Sequence, residues 1–160
     1  MADEKMIQHA MDIYEKTKDV FTSKGIKFDA NDEKMIIKTG ITGDDLPMDI
    51  TVIVNPNAQA LSFYSVLPFS VKEDKMAEIA IATCVANNSV IQGGFDYDIS
   101  EGKVLCKISN SFIETDLSKE LIFVMFMRFA NLIDEYNDRF FMLNKGLIDL
   151  AKFIELKNDK

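Results

Sequence analysis

The chain has 160 residues, 48% of them hydrophobic and 28% charged, and 26 acidic against 18 basic side chains give a net charge of −8. That length suits one domain with a single core, and the composition excludes a disordered or fibrous polymer. The negative field repels phosphate backbones and anionic lipid, so neither nucleic acid nor a membrane surface is an expected partner.

The opening residues place Asp3, Glu4 and Lys5 before any apolar run, unlike a signal peptide. The longest apolar stretch, Leu121 to Met127, ends at Arg128, far short of the roughly 20 residues a bilayer needs. A cytoplasmic location is the expectation. Met6, Ile7, Ala10, Met11, Tyr14, Thr17, Val20 and Phe21 recur every three or four residues, which predicts an amphipathic helix stopping near residue 24, ahead of Gly25. Ile26 and Phe28 then start a short strand, and Met35 to Ile41 form a second, with Asp29, Ala30, Asn31 and Asp32 as the turn between them.

Met48, Ile50, Val52 and Val54 alternate with polar neighbours, the pattern of a strand with one buried face. A turn at Asn55, Pro56 and Asn57 leads into a strand over Ala60 to Val66. Pairing Asn55 with Ala58 sets Val52 opposite Leu61, Ile50 opposite Phe63 and Asp49 opposite Tyr64. Ser70, Val71, Lys72 and Glu73 have the form of a capping box, which predicts a helix start, with Met76, Ile79, Ala80, Thr83, Val85 and Ala86 on its inner face. Asn87, Asn88, Gly93 and Gly94 end that helix. A hairpin turning at Glu101 and Gly102 then pairs Ile99 with Val104, Tyr97 with Cys106 and Phe95 with Ile108, and sets Asp96 across from Lys107.

After Thr115 and Asp116, Leu117, Leu121, Val124, Met125, Arg128, Phe129, Leu132, Ile133 and Tyr136 have helical spacing. Asn137 and Asp138 are expected to bend the helix before Phe140, Leu143, Leu147, Leu150, Ala151 and Ile154 extend the pattern. Ile122, Phe123, Phe126 and Met127 make the other side of this helix apolar too, more than one core face needs. These four, with Phe140 and Phe141, are the candidate protein interface. Met125 and Met127 add flexible thioethers that adapt to partner shape, against the plainer reading of core filling.

Chemistry-bearing clusters are sparse. Asp96, Asp98 and Ser100 fit the first positions of a calcium loop, but Glu101 stands where a glycine is needed and Lys107 where a bidentate glutamate is needed. His9 is the only histidine, and its neighbours Gln8 and Ala10 make it a solvated helix residue. Gly40, Gly43, Gly93 and Gly94 lack the lysine and hydroxyl of a phosphate loop. Asp44 and Asp45, or Asp134 and Glu135, read as solvated charge. Cys84 and Cys106 are expected on apolar faces as reduced thiols. Catalytic, cofactor-binding and metal-binding residues are therefore assigned to none.

Ala82, Val85, Asn87 and Asn88 at the end of the middle helix, Gly94, Phe95, Asp96, Asp98, Gly102 and Val104 in the hairpin, and Leu117, Tyr136 and Gly146 beyond it carry a family resemblance. The chain resembles, over nearly its whole length, the YbjN-like family of bacterial sensory-transduction regulators within the type III secretion chaperone-like fold. The resemblance implies a small, acidic, often dimeric module without catalytic residues. The expected fold is α+β, an antiparallel sheet with flanking helices in the order α-ββββ-α-ββ-α, forming one domain over 1–160 with an extended C-terminal helical segment. The expected function is a non-enzymatic protein-binding or regulatory module, chaperone-like, acting as a homodimer on an unknown protein partner and without a cofactor. The alternative is a small-ligand binder or enzyme using carboxylates in a pocket that only the fold assembles.

Overall fold

Asp3 begins the first helix, its carboxylate accepting the Met6 amide at 2.9 Å, and α1 then runs Glu4–Ser23. The structure, a computed structural model, describes residues 2–42, 46–88 and 90–158. Ala10, Ile13, Tyr14, Thr17, Val20 and Phe21 form the buried stripe of α1, whereas Ile7 faces solvent. Beyond it lies a six-stranded antiparallel sheet of β1 (Phe28–Asn31), β2 (Ile36–Thr42), β3 (Pro47–Asn55), β4 (Ala60–Val66), β5 (Gly94–Asp98) and β6 (Lys103–Ser111). Their spatial order is β1-β2-β3-β4-β6-β5. The architecture is the expected α+β sheet with flanking helices.

Three hairpins share one turn device. Asn31, Asn55 and Asp98 end their strands, and each side-chain oxygen accepts the amide three residues on: Lys34 at 3.0 Å, Ala58 at 3.0 Å and Glu101 at 3.1 Å. The fourth loop residue is then left-handed: Met35 at φ 51°, Gln59 at φ 44° and Gly102 at φ 62°. This device sets the registers two residues away from those expected. Asn55 pairs with Ala60, so Val52 lies opposite Phe63, Val54 opposite Leu61 and Thr51 opposite Tyr64. In the last hairpin Tyr97 pairs with Val104 and Phe95 with Cys106, leaving Ile99 exposed in the loop. The first turn moves too: Asp29 to Asn31 belong to β1, and the loop is residues 32–35. A two-residue slip keeps every side chain on its face, so Ile50, Val52, Val54, Leu61, Phe63, Phe95, Val104, Cys106 and Ile108 are all buried. Asp96 still reaches Lys107, now as a diagonal ion pair.

The expected capping box does not form. Residues 70–72 belong to no helix, Lys72 having extended backbone, a 3-10 turn occupies Glu73–Lys75, and α2 runs Met76–Asn87. Tertiary partners hold this segment instead: Lys103 Nζ donates to Ser70 Oγ, the hydroxyl the box needed, at 2.9 Å, and Asn144 accepts the Lys72 amide at 2.8 Å while donating to the Ser70 carbonyl at 3.0 Å. Ile79, Ala82, Thr83 and Ala86 are the buried residues of α2.

Ser118 accepts the Leu121 amide at 3.1 Å and starts α3, which runs unbroken over Lys119–Lys145 and ends at left-handed Gly146. Asn137 does not end or divide it. The neighbouring turns pack Ile133, Tyr136 and Phe140 into the core, and Asn137 itself is buried. A separate helix, α4 (Leu150–Asn158), follows. Buried residues of the helices and the sheet join in one contiguous core, with α3 crossing from Phe63 on β4 to Phe95 on β5.

Candidate protein-interaction surface

Asn87 ties the end of α2 to the start of β5. Its side-chain oxygen accepts the Phe95 amide at 2.7 Å and its Nδ2 donates to the Phe95 carbonyl at 2.8 Å, so one side chain pairs with the edge of β5 as a strand would. Gly94, at φ 151°, lets the two backbones approach. Val90, Ile91 and Gln92, ahead of the paired glycines, stand beside α3.

A groove of about 440 Å³ lies there, lined by Val90, Ile91, Leu132 and Tyr136 with Arg128, Asn131 and Glu135 at its rim. Ile91 is wholly exposed at 101% and Leu132 is half-buried. Tyr136 gives a rigid wall, its ring against Phe95 at 5.5 Å and Phe153 at 6.2 Å, with the Arg139 guanidinium 5.1 Å above it. Met127, one helical turn before Asn131, is 40% exposed and prolongs the apolar surface along α3.

The expected interface residues separate into three groups. Ile122, Phe126 and Phe140 lie inside the subunit: Phe126 meets Phe21 at 5.0 Å and Phe63 at 6.2 Å, and Phe140 meets Phe95 and Phe153 at 5.2 Å each. This corrects their assignment to a surface, because α1, the sheet and α4 together cover more of α3 than a single sheet does. Phe123 and Phe141 are half-buried, with Lys24 Nζ 4.5 Å over the first ring and Lys145 Nζ 5.4 Å over the second. Of the six, Met127 alone is exposed. Sequence reasoning passed over Val90 and Ile91, although an apolar pair between helix-ending asparagines and paired glycines has no local reason to be there.

The other clusters keep structural duties. Asp98 accepts from Ser100 Oγ at 2.6 Å and from the Ser100 and Glu101 amides, and these bonds hold its carboxyl below its ordinary range, the Ser100 hydroxyl most of all. His9 stacks edge-on to Phe112 at 5.1 Å. Tyr14 donates to Asp32 at 2.8 Å, and burial first, then that bond, pushes its hydroxyl up to about 12. Cys106 is buried, as expected, and burial raises its thiol far above the ordinary range. Cys84 is exposed, a correction that follows from its place on the outer side of α2 with Ile81. Asp134 and Glu135 are half-buried on α3, and Gly43, Asp44 and Asp45 lie outside the described residues. Among the described residues no group of three metal-ligating side chains forms and no helix is long and apolar enough to cross a membrane.

The outer face of the sheet is a second surface. The Ser62 and Ser109 hydroxyls meet at 2.7 Å across β4 and β6, and Lys38, Asp49 and Thr51 surround a polar hollow of about 610 Å³ where Gly40 has no side chain. Half-buried Ile36 and Ile53 pair on this face, leaving it mixed where the α3 groove is apolar.

No family model and no curated protein matches the sequence. Solved structures match the fold. YbjN from E. coli superposes with a TM-score of 0.56 at 12% identity, over 75% of this chain and 84% of YbjN. A chain of the ExsC–ExsE complex gives 0.57 at 12% identity, over 79% of this chain and 92% of that one. A chain of the HopA1–SchA chaperone–effector complex gives 0.55 at 13% identity, over 79% and 94%. The chain thus has the fold of YbjN and of type III secretion chaperones.

Proposed function

We propose that this protein is a non-enzymatic binding module that takes an apolar segment of a partner polypeptide into the groove between residues 90–92 and α3. The exposure of Ile91 beside Leu132 and Tyr136 carries the reading, since an isolated apolar loop residue is ordinary but one placed against a largely apolar, aromatic-walled groove is not. Two of the similar structures are complexes, one of a chaperone with its effector, which agrees with a chaperone-like or regulatory role. Self-association through α3 as a homodimer belongs to the same reading, with Met127 and the half-buried Phe123 and Phe141 as contacts, as does a cytoplasmic site of action.

The test is co-purification with mass spectrometry, paired with analytical ultracentrifugation, on the unaltered chain and on Ile91→Asp and Met127→Asp. Exposed positions tolerate substitution within about 0.5 kcal/mol, so both variants fold. A charge in an apolar contact weakens binding by at least tenfold, about 1.4 kcal/mol. A partner held equally by all three proteins removes the groove from the interface, and a chain that stays monomeric at high micromolar concentration removes the dimer.

A further inference from the structure

α2 is apolar on both sides. Ile79, Ala82, Thr83 and Ala86 face the core, and the opposite side carries Ala77, Ile81, Cys84 and Asn88, all exposed, with half-buried Ala80 and Val85 as its flanks. Ile81 is 49% exposed. An ordinary surface helix places charge there, but no charged residue stands between Glu78 and Asp96 in this chain of net charge −8. Ala77, Ile81, Cys84 and Asn88 succeed one another at four, three and four residues, the roughly 3.5-residue period of a seam between two helices.

We propose that this face is a seam between two copies of the chain, their α2 helices antiparallel about a two-fold axis. The seam is its own complement in that arrangement. Facing positions across such an axis sum to a constant, and centring it between residues 82 and 83 sets Ile81 against Cys84 of the second copy, Val85 against Ala80 and Asn88 against Ala77. Each pair joins a larger side chain to a smaller one, so the two surfaces interdigitate. A parallel pair sets Ile81 on Ile81 and Ala77 on Ala77, and the bulge at one level holds the small residues apart at the next. The lack of charge favours a second copy in particular, because two chains of net charge −8 repel over most of their surfaces and here meet without bringing like charges together. A helix of 12 residues, about 18 Å long and about 10 Å wide, covers less than the roughly 800 Å² per partner of a stable dimer, so the association is weak and shows at high protein concentration. The groove beside Ile91 and the contacts on α3 take no part, so the seam stands whether or not they bind.

Cys84 makes the test specific to α2, because the other cysteine, Cys106, is buried. The unaltered full-length protein, held at high micromolar concentration and treated with the short thiol crosslinker dibromobimane, gives a covalent dimer on denaturing electrophoresis. Cys84→Ser abolishes it. Ile81→Asp, at an exposed position that tolerates substitution, lowers the yield at least about tenfold, whereas Met127→Asp on α3 leaves it unchanged. Should Ile81→Asp fail to fold, Ala77→Asp takes its place. For the orientation, chains carrying both Ile81→Cys and Cys84→Ser are mixed with unaltered chains and oxidised with copper phenanthroline, and peptide mapping finds position 81 joined to Cys84. No covalent dimer from the unaltered protein, equal yields from the Ile81→Asp and Met127→Asp variants, or disulfides that join like positions alone overturns the proposal.

Discussion

Gly94→Ala tests the contact that ties the end of α2 to the start of β5. A Cβ on Gly94 would lie 2.7 Å from Asn87 Oδ1 and 3.1 Å from its Cγ, so the amide must leave its two bonds to Phe95. Losing both costs about 1–3 kcal/mol at a net 0.5–1.5 kcal/mol each. The φ of 151° adds strain for any side chain, about 1–3 kcal/mol, for a total of about 2–6 kcal/mol. Asn87→Ala loses only the bonds, about 1–3 kcal/mol. In the double variant the Cβ has nothing left to displace, so its cost equals that of Gly94→Ala and the coupling is about 1–3 kcal/mol. Equilibrium urea unfolding followed by far-ultraviolet circular dichroism, at constant m, measures each corner of the cycle. Additivity within about 0.5 kcal/mol, or a cost below about 1 kcal/mol for Gly94→Ala, would refute the reasoning.

Asn144→Ala removes the bonds that pin residues 70 and 72 ahead of α2 and is expected to cost about 1–3 kcal/mol. Asn137→Ala, two helical turns earlier, is expected within about 1 kcal/mol of zero, since its buried Nδ2 has no partner. Thermal unfolding of the two variants side by side checks the contrast, which equal losses would contradict. Gln59→Gly relieves a left-handed residue at the β3–β4 turn and should stabilise by about 0.5–1 kcal/mol, read as a raised urea midpoint. Met35→Gly, at the matching place in the first hairpin, gives up a buried side chain and should lower that midpoint.

Periodicity made the faces of the elements legible, because burial acts through the same spacing that the eye reads. Val52 and Phe63 were assigned inward and are inward, although their partners were two residues off: apolar alternation repeats every second position and is blind to such a slip. The start of α2 was misread for a different reason. A serine and glutamate three apart satisfy amides only if nothing farther along the chain competes, and Lys103 takes the serine hydroxyl while Asn144 ties down the backbone around it. The α3 surplus was real as composition and mislocated as surface, since α4 could not be placed by spacing alone. The groove was the least legible part: Ile91 belongs to no periodic stretch, and its neighbours on α3 are about forty residues away.

The three asparagine- or aspartate-anchored hairpins also bear on divergence. Moving such an anchor two positions along a strand lengthens or trims the ladder while leaving each buried residue indoors. Strand lengths can therefore drift in even steps under little selection, erasing column-by-column correspondence while the architecture persists. A sheet built this way can keep its architecture while sequence identity falls as low as the 12–13% seen between this chain and structures of the same fold.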